Sequence, residues 1–213
     1  MIADEGAALA WLRGLPECDA VAMARLERLI ALLREENQRQ NLVSAASLDE
    51  VWRRHIVDSA QLLVHVPRGT SPWLDLGTGA GFPGMVVAAM RSEDDVILVE
   101  SRARRIAWLE QCKAELDLPH VRVMGSRLEA LDSFSAGVIS ARAFAPLERL
   151  IDLAARFSTK DTLWLLPKGR SARQELLELR GWNHTFHVEQ SLTDAEAGII
   201  TGTLDHRKKG RPS

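Results

Sequence analysis

The sequence predicts an α/β fold with a mostly parallel seven-stranded sheet, helices on both faces of the sheet and an N-terminal helical appendage. Residues 1 to about 65 carry apolar residues at helical spacings and no strand-like alternation. From Trp73 onwards, short runs rich in Val, Ile and Leu alternate with longer helical patterns, as expected of parallel strands joined by crossover helices. After Gly181 two extended stretches follow without a helix between them, which indicates an antiparallel pair at the end of the sheet.

The N-terminal region is predicted to form two or three helices. In residues 20–38 one face of a helix is apolar and the rest of its surface carries charged side chains. The apolar positions are Val21, Leu26, Leu29, Ile30 and Leu33. The stretch "VPRGTSP" at 66–72 is typical of a connection. We therefore expect a helical region over 1–66, a sheet domain over 67–206 and a basic tail over 207–213.

The predicted sheet begins with five apolar runs. They are "PWLDLG" (72–77), "VILVES" (96–101), "VRVMGS" (121–126), "GVISAR" (137–142) and "TLWLLPK" (162–168). The helical patterns among them are "GMVVAAMRS" (84–92), "RRIAWLEQCKAELD" (104–117), "APLERLIDLAARFS" (145–158) and "SARQELLELRG" (171–181). The last two strands are expected in "HTFHVEQS" (184–191) and "GIITGTLDH" (198–206).

The composition limits the classes of function. The 213 residues carry a net charge of −2, so a polyanionic partner must be held by a local basic patch. Cys18 and Cys112 are not in a metal-type or redox-type spacing, and we interpret both as packing residues. The first residues do not resemble a signal peptide, and no apolar run approaches the roughly 20 residues of a membrane helix. We expect a cytoplasmic protein without a membrane partner.

A glycine loop follows the first predicted strand. Gly77, Gly79 and Gly81 alternate with other residues directly before Pro83, which suits the first turn of a helix. Glycine at such positions permits positive φ and lets a ligand approach the backbone closely. In a doubly wound sheet this turn lies at the carboxyl edge, where ligands bind. The loop is therefore the first candidate binding site.

The spacing of the loop favours one of two cofactor classes. The dinucleotide fingerprint needs a glycine where this chain has Phe82. Asp75 and the three glycines instead complete Asp-x-Gly-x-Gly-x-Gly, which resembles the first motif of S-adenosylmethionine-dependent methyltransferases. Glu100 ends the second strand about 20 residues past the loop, where an acid accepts hydrogen bonds from the ribose of either cofactor. An NAD-dependent reductase is the weaker alternative, because the chain contains no tyrosine for a Tyr-x-x-x-Lys pair.

Six motifs in order extend the resemblance over most of the chain. They are "RHIVDS" (54–59), "DLGTGAGFPG" (75–84), "VES" with "RRIAWL" (99–109), "GSRLEAL" (125–131), "ISARAFAPL" (139–147) and "LPKG" (166–169). Together they resemble the bacterial small-subunit ribosomal RNA methyltransferase G family, also called glucose-inhibited division protein B. The resemblance implies a Rossmann-like class I methyltransferase fold, with 67–206 as the S-adenosylmethionine-binding domain.

The family resemblance also implies an activity and a set of site residues. The activity is methylation of N7 of the guanine at position 527 of 16S rRNA, with S-adenosyl-L-methionine as cofactor. Together with Glu100, the expected cofactor-binding residues are Gly77, Gly79, Phe82, Leu128, Glu129 and Arg142. This chain reads Ile-Ser-Ala-Arg-Ala where many members of the family read Ile-Ser-Arg-Ala, so Ala141 is an extra residue before Arg142.

Methylation at N7 sets an expectation about catalysis. Neutral guanine carries an unprotonated lone pair at N7, so attack on a sulfonium methyl group removes no proton. Catalysis would then rest on alignment and on the surrounding field. The segment "SARAFAPL" lacks the Asn/Asp-Pro-Pro-aromatic box that is typical of amine-methylating enzymes. We therefore expect no catalytic residue of the general-base type.

Candidate RNA contacts are basic residues near the predicted cleft and in the tail. They are Arg102, Arg104, Arg105 and Lys168, followed by Arg207, Lys208, Lys209 and Arg211. Affinity for a structured RNA comes mostly from phosphate contacts, although such clusters are also typical of a solvated helix face or a solubility tail. The implied partner is 16S rRNA within the small ribosomal subunit or its assembly intermediate, and we expect a monomer.

Arg54, His55 and Asp58 are polar residues at helical spacing in an otherwise apolar segment. They belong either to a helix whose polar side chains pair with each other or to a helix that closes over the cofactor or the RNA. No metal is expected, because His184 and His187 have no cysteine or third histidine nearby. The alternative function is that of a non-catalytic sensor or ribosome assembly factor that binds S-adenosylmethionine and RNA. The sequence does not exclude it, because an enzyme of this kind needs no essential base, and so no missing catalytic residue would reveal a non-catalytic relative.

Overall fold

A computed structural model describes residues 1–207 of the chain. Its first three helices are α1 (Glu5–Arg13), α2 (Ala20–Glu36) and α3 (Ala45–Asp49). Each begins at a side chain, Asp4, Asp19 or Ser44, that accepts a hydrogen bond from a backbone N–H of the first turn. Such caps satisfy donors that the helix itself leaves unpaired, so these starts are encoded locally. The predicted basic residues Lys208, Lys209 and Arg211 lie outside the described residues.

A longer helical stretch leads from these helices to the sheet. It begins as a π-helix (Trp52–Val57), continues as α4 (Asp58–Ala60) and ends as a 3₁₀-helix (Gln61–His65). Glu5 on α1 accepts hydrogen bonds from the backbone N–H groups of Trp52 and Arg53, at 3.0 and 2.8 Å, and so fixes the start of the stretch. π-Helical turns are rare in proteins, but those that do occur are often found at functional sites.

The sheet contains eight strands among residues 1–207. They are β1 (Trp73–Leu76), β2 (Val96–Glu100), β3 (Val121–Gly125), β4 (Val138–Ala141), β5 (Leu163–Gly169), β6 (Trp182–His184), β7 (His187–Gln190) and β8 (Gly198–Arg207). Their spatial order is β3-β2-β1-β4-β5-β8-β6, and β7 also pairs with β8. β1 to β5 are parallel, whereas β8 is antiparallel to its neighbours. The carboxyl ends of β1 to β4 therefore meet at one edge.

The strand number corrects the predicted count of seven. The stretch expected to form the sixth strand, 184–191, contains β7, whereas β6 ends where that stretch begins; both strands pair with the same side of β8. Gly202 on β8 has a φ of 137°, and a Cβ there would lie 2.9 Å from backbone atoms of Phe186. A residue with a side chain would therefore collide with Phe186 here, and glycine is the residue that adopts such a φ without strain. The predicted α/β class and the antiparallel end of the sheet are confirmed.

Helices cover both faces of the sheet, as predicted. The crossover helices are α5 (Gly84–Met90), α6 (Ala103–Glu115), α7 (Leu147–Ala154) and α8 (Ala172–Glu178). One apolar core joins α5 and α6 to the N-terminal helices, and a second core holds α7 and α8. Within β1, Trp73 belongs to the first core and Leu74 to the second, because successive strand residues face opposite sides. Cys112 is buried in the first core and Cys18 packs against it, as expected of packing residues.

A helix that crosses a bilayer needs roughly 20 predominantly apolar residues. Among residues 1–207, none of the helices is long and apolar enough to cross a membrane.

Candidate active site

A cleft of about 660 Å³ opens at the carboxyl edge of the sheet. Its lining includes every residue predicted to contact the cofactor, namely Gly77, Gly79, Phe82, Glu100, Leu128, Glu129 and Arg142. These residues end or follow four different strands, β1, β2, β3 and β4, and are therefore distant in sequence. They converge because the four strands are parallel neighbours whose ends share one edge. Such an edge is where doubly wound sheets bind their ligands.

The glycine loop has the backbone conformation that its composition predicts. Gly77 and Gly79 have φ values of 63° and 59°, in the left-handed region that favours glycine. At Gly77 a Cβ would lie 2.3 Å from the ring of Phe144, so the absence of a side chain lets this ring pack on the loop. At Gly79 the nearest atom to such a Cβ is 3.6 Å away, which is ordinary contact. The two glycines therefore serve different purposes.

Asp75 stabilises the glycine loop through hydrogen bonds but does not line the cleft. Its carboxylate accepts hydrogen bonds from the Ser140 hydroxyl at 2.6 Å and from the Gly84 N–H at 3.2 Å. Complete burial raises the pKa of Asp75 to about 6, although the hydrogen bonds from Ser140, Thr78 and Gly84 act in the opposite direction. The residue thus connects β1 to β4 and to the start of α5.

Glu100 lies in the cleft wall and is buried. Its carboxylate accepts hydrogen bonds from the backbone N–H groups of Gly79, Ser101 and Arg102, at 3.1, 2.7 and 2.9 Å. A carboxylate has roughly four lone-pair positions, so these bonds leave about one for a ligand hydroxyl. Glu100 therefore orders the glycine loop and keeps capacity to bind.

Phe82 lies at the centre of a cluster that connects the cleft to the helical stretch before the sheet. The ring of His55 stacks on Phe82 with centroids 4.9 Å apart, and the Arg142 guanidinium lies 5.2 Å from the same centroid. Arg142 also forms an ion pair of 3.0 Å with Asp58 and donates to Nδ1 of His55 at 3.4 Å. His55 and Asp58, together with the carbonyl oxygen of Arg54, are therefore bound to Arg142 in the cleft wall.

The protonation state of His55 follows from its surroundings. Burial lowers the pKa of His55 to about 3, and the positive charges of Arg142 and Arg54 act in the same direction. The imidazole is therefore neutral at pH 7, with Nδ1 accepting from Arg142 and Nε2 lying 3.0 Å from the Ser47 hydroxyl. A ring held in this state is a weak base.

The extra residue Ala141 belongs to the sheet. It is buried as the last residue of β4 and is the register partner of Leu76. Arg142 is consequently the first residue beyond the strand, and its side chain lines the cleft. Ala143 follows with a φ of 53°, a left-handed conformation that is unusual for a residue with a Cβ. The loop 142–146 thus leaves the strand with a sharp change of direction.

Sequence reasoning missed several residues of the cleft, three of which have aromatic or charged side chains. Arg127, Phe144 and Arg149 line it together with the expected residues. Arg127 and Phe144 stand inside the motifs "GSRLEAL" and "ISARAFAPL", which was a usable signal. Arg149 lies on a helical pattern whose exposed face carries charges anyway, so nothing in the sequence distinguishes it.

The predicted RNA contacts do not all lie on the surface around the cleft. Arg102 and Arg105 line it, whereas Arg104 is exposed outside the lining. Arg105 is partly used, because it donates to the carbonyl oxygen of Asn41 at 2.9 Å. Lys168 differs from the prediction: only 9% of its side chain is exposed, since its ammonium group is paired inside the protein with Glu175 at 2.9 Å. Sequence spacing could not reveal this partner, which α8 supplies from another element.

Five arginines at or near the cleft keep their guanidinium groups free of any hydrogen bond or ion pair within residues 1–207. They are Arg54, Arg102, Arg104, Arg127 and Arg149. Three of these, Arg102, Arg127 and Arg149, are exposed residues of the cleft lining itself. Arg207, predicted to begin the basic tail, is instead the last residue of β8 and is paired with Asp152 at 3.2 Å. Over the same residues, no group of three or more His, Cys, Asp or Glu side chains is placed to hold a metal ion.

Comparisons with solved structures agree with this fold. A structure described as a SAM dependent methyltransferase from Aquifex aeolicus has a TM-score of 0.58 at 12% identity, over 82% of this chain and 97% of that chain. A mutant of MtNAS in complex with S-adenosylmethionine has a TM-score of 0.57 at 16% identity, over 95% of this chain and 84% of that one. At these identities the likeness concerns the fold alone.

Sequence comparisons identify the family. The family model described as GidB, rRNA small subunit methyltransferase G, matches residues 22–197. A protein of Erythrobacter litoralis called ribosomal RNA small subunit methyltransferase G is 60% identical over 203 residues, which are 95% of this chain and 97% of that protein. The protein of the same name from Zymomonas mobilis is 43% identical over 95% of both chains. The chain therefore belongs to the rRNA small subunit methyltransferase G family, as its six motifs predict.

Proposed function

We propose that this protein transfers the methyl group of S-adenosyl-L-methionine to N7 of the guanine at position 527 of 16S rRNA. The convergence of four strand ends on one cleft carries the proposal, because it brings the motif residues of a methyltransferase family to one place. The names of the relatives support ribosomal RNA of the small subunit as the acceptor. Family membership leaves no support for the alternative of an NAD-dependent reductase. The proposed enzyme acts as a cytoplasmic monomer on the small subunit or its assembly intermediate.

The residues of the cleft fit S-adenosylmethionine, which carries a ribose, an adenine and two positive groups. Gly79 leaves the backbone accessible to the ligand, and Gly77 lets the ring of Phe144 pack on the loop beside it. Glu100 would accept from a ribose hydroxyl with its remaining lone pair, and its negative charge suits a cationic ligand. Buried Leu128 would form an apolar contact with the adenine, with Glu129 beside it. The bound cofactor would supply the electrophilic methyl group.

The ionisable groups near Phe82 are consistent with transfer to N7. Glu100 is held by three backbone N–H groups, and His55 has a pKa of about 3 with both ring nitrogens engaged. Neither is suited to removing a proton from an exocyclic amine at neutral pH. Attack by the N7 lone pair needs no such step, so alignment of the base and the methyl group would supply most of the rate.

The RNA is proposed to approach over the exposed arginines of the cleft. Arg102, Arg127 and Arg149 are unpaired within residues 1–207 and are therefore available to phosphates. Arg104 would extend this surface along α6, with Arg105 contributing less because it already binds the carbonyl of Asn41.

The test uses small ribosomal subunits that lack the modification. They are incubated with methyl-labelled S-adenosylmethionine, and the labelled base is mapped by strand cleavage at 7-methylguanine. The expected result is label at guanine 527 and none in subunits that already carry the modification. Label on another base or atom would overturn the site assignment. Absence of transfer with intact cofactor binding, measured by equilibrium dialysis, would favour the non-catalytic sensor.

A further inference from the structure

We propose that Lys168 and Glu175 are positioning residues that clamp the loop 142–146 at the mouth of the cleft. This inference rests on the proposed methyl transfer and assigns a role to two side chains outside the cleft lining. Lys168 lies near the end of β5 and Glu175 on α8, so two separate elements contribute the pair. Both contact the backbone that follows β4.

Lys168 and Glu175 each bind one backbone group of this segment, a carbonyl oxygen in one case and an N–H group in the other. The Lys168 ammonium donates to the carbonyl oxygen of Ala145 at 2.5 Å. The Glu175 carboxylate accepts from the N–H of Leu147 at 2.7 Å and from the Ser171 hydroxyl at 2.6 Å. Lys168 and Glu175 are themselves 2.9 Å apart. One ion pair thus fixes both a carbonyl and an amide of the same short segment.

The segment needs an external partner at this point. Leu147 is the first residue of α7, and the first N–H groups of a helix have no partner within it. The preceding N-cap residue is Pro146, which makes no side-chain hydrogen bond to the helix. Glu175 supplies from α8 the acceptor that the cap position lacks.

The loop 142–146 also carries two side chains that must be oriented towards the cleft. Arg142 and Phe144 both line the cleft, and between them Ala143 has a φ of 53°. A residue with a Cβ adopts this conformation only when its surroundings hold it there. The clamp on Ala145 and Leu147 begins two residues after Ala143 and is suited to hold the turn.

The charges of the pair are largely withdrawn from water. The side chains of Lys168 and Glu175 are 9% and 20% exposed. Although burial by itself raises the pKa of Glu175, the bonds from Ser171, Lys168 and Leu147 outweigh it and lower that pKa. The carboxylate is therefore ionised at neutral pH, and removal of either partner leaves a poorly solvated charge beside the loop.

The decisive comparison uses substitutions of opposite charge change. If Lys168 acted by attracting RNA, Lys168→Met would weaken RNA binding and Glu175→Gln would not. A clamp predicts that both variants lower the maximal rate of methyl transfer by about tenfold, because the loop residues lose their alignment. The affinity for S-adenosylmethionine should change less than about threefold, since the glycine loop and Glu100 are untouched. The double variant should be no slower than the slower single variant, as expected for residues of one unit.

Two further variants separate positioning from general stability. Lys168→Arg retains a cation and its donors and should recover most of the rate. Arg170→Met removes the neighbouring cation, which is 81% exposed and paired with Glu196, and should behave as the unchanged protein. Thermal unfolding of each variant, with rates referred to folded protein, shows whether folding is the cause.

Amide hydrogen exchange provides a readout that needs no methyl transfer. In Lys168→Met and Glu175→Gln, peptides that cover residues 142–150 should exchange faster, while peptides from β1 and β2 remain as protected as before. Unchanged exchange in 142–150, or a loss confined to RNA affinity, would overturn the clamp. If the unchanged protein transfers no methyl group, the proposed function fails, whereas the exchange measurement still decides on the clamp.

Discussion

The guanidinium group of Arg142 lies 3.0 Å from the carboxylate of Asp58, and this ion pair joins the helical stretch before the sheet to the first residue beyond β4. Asp58 is itself fixed, because its other oxygen accepts from Thr193 at 2.8 Å and from Gln61 at 3.1 Å. Three regions of the chain therefore determine where one arginine of the cleft points.

Replacing Asp58 by Asn should lower methyl transfer about tenfold, because a neutral amide forms a weaker bond to Arg142 than a carboxylate does. The rate at saturating cofactor and RNA measures this effect, and thermal unfolding measures any loss of stability. Glu50→Gln is the matched control, since it removes an ion pair with Arg53 from the same region without touching Arg142. Equal rates for the Asp58 and Glu50 variants would show that the aim of Arg142 does not depend on Asp58.

The two glycines of the loop should differ in their response to alanine. Both Gly77→Ala and Gly79→Ala force a residue with a Cβ into the left-handed region, at a cost of roughly 1–2 kcal/mol. Only Gly77→Ala also drives a Cβ into the ring of Phe144. We expect both variants to unfold at lower temperature and Gly77→Ala to lose at least about ten times more affinity for S-adenosylmethionine. Calorimetric titration decides, and equal losses of affinity would contradict the role assigned to Phe144.

Much of the fold could be predicted because its signals are local. Asp19 begins α2, glycines follow β1, and apolar runs of strand length recur at crossover spacing. The break between β6 and β7 escaped prediction; it lies opposite Gly202, where a side chain would collide with Phe186 across the sheet. Apolar pattern alone carries no information about such a contact.

The candidate site divides in the same way. Gly77, Glu100 and Arg142 could be selected from motifs, and their binding roles stay predictions that the cleft makes testable. The inward position of Lys168 could not be foreseen, because its partner Glu175 lies on another helix. The local sequence around a lysine near a strand end is the same whether its side chain faces solvent or a buried carboxylate.

The low pKa of His55 should make the stability of the protein depend on pH. In the unfolded chain His55 takes up a proton near pH 6.5, whereas in the folded protein it does so only near pH 3. Between these values the unfolded state binds more protons, so stability falls as the pH falls from 6.5 towards 3. The slope from this residue reaches at most about 1.4 kcal/mol per pH unit.

The comparison of the unchanged protein with His55→Phe isolates this contribution, because phenylalanine keeps a ring on Phe82 and does not titrate. Denaturant unfolding at several pH values should show the advantage of the unchanged protein shrinking as the pH drops below 6.5. A difference that stays constant over this range would mean that His55 is protonated in the folded state as readily as in the unfolded chain.

The free arginines of the cleft predict how RNA binding depends on salt. Arg127 and Arg149 are exposed and unpaired within residues 1–207, and both line the cleft. Arg122 and Arg173 are also exposed and unpaired there but lie outside the cleft lining. The double variants Arg127→Gln/Arg149→Gln and Arg122→Gln/Arg173→Gln therefore remove the same charge from different places.

Each lost phosphate contact should reduce the slope of log affinity against log salt by about 0.9. We expect a reduction of nearly two for the cleft pair and almost none for the control pair, measured by filter binding of a 16S rRNA fragment at several salt concentrations. Equal reductions for the two pairs would mean that net charge, and not the arginine positions at the cleft, governs RNA affinity.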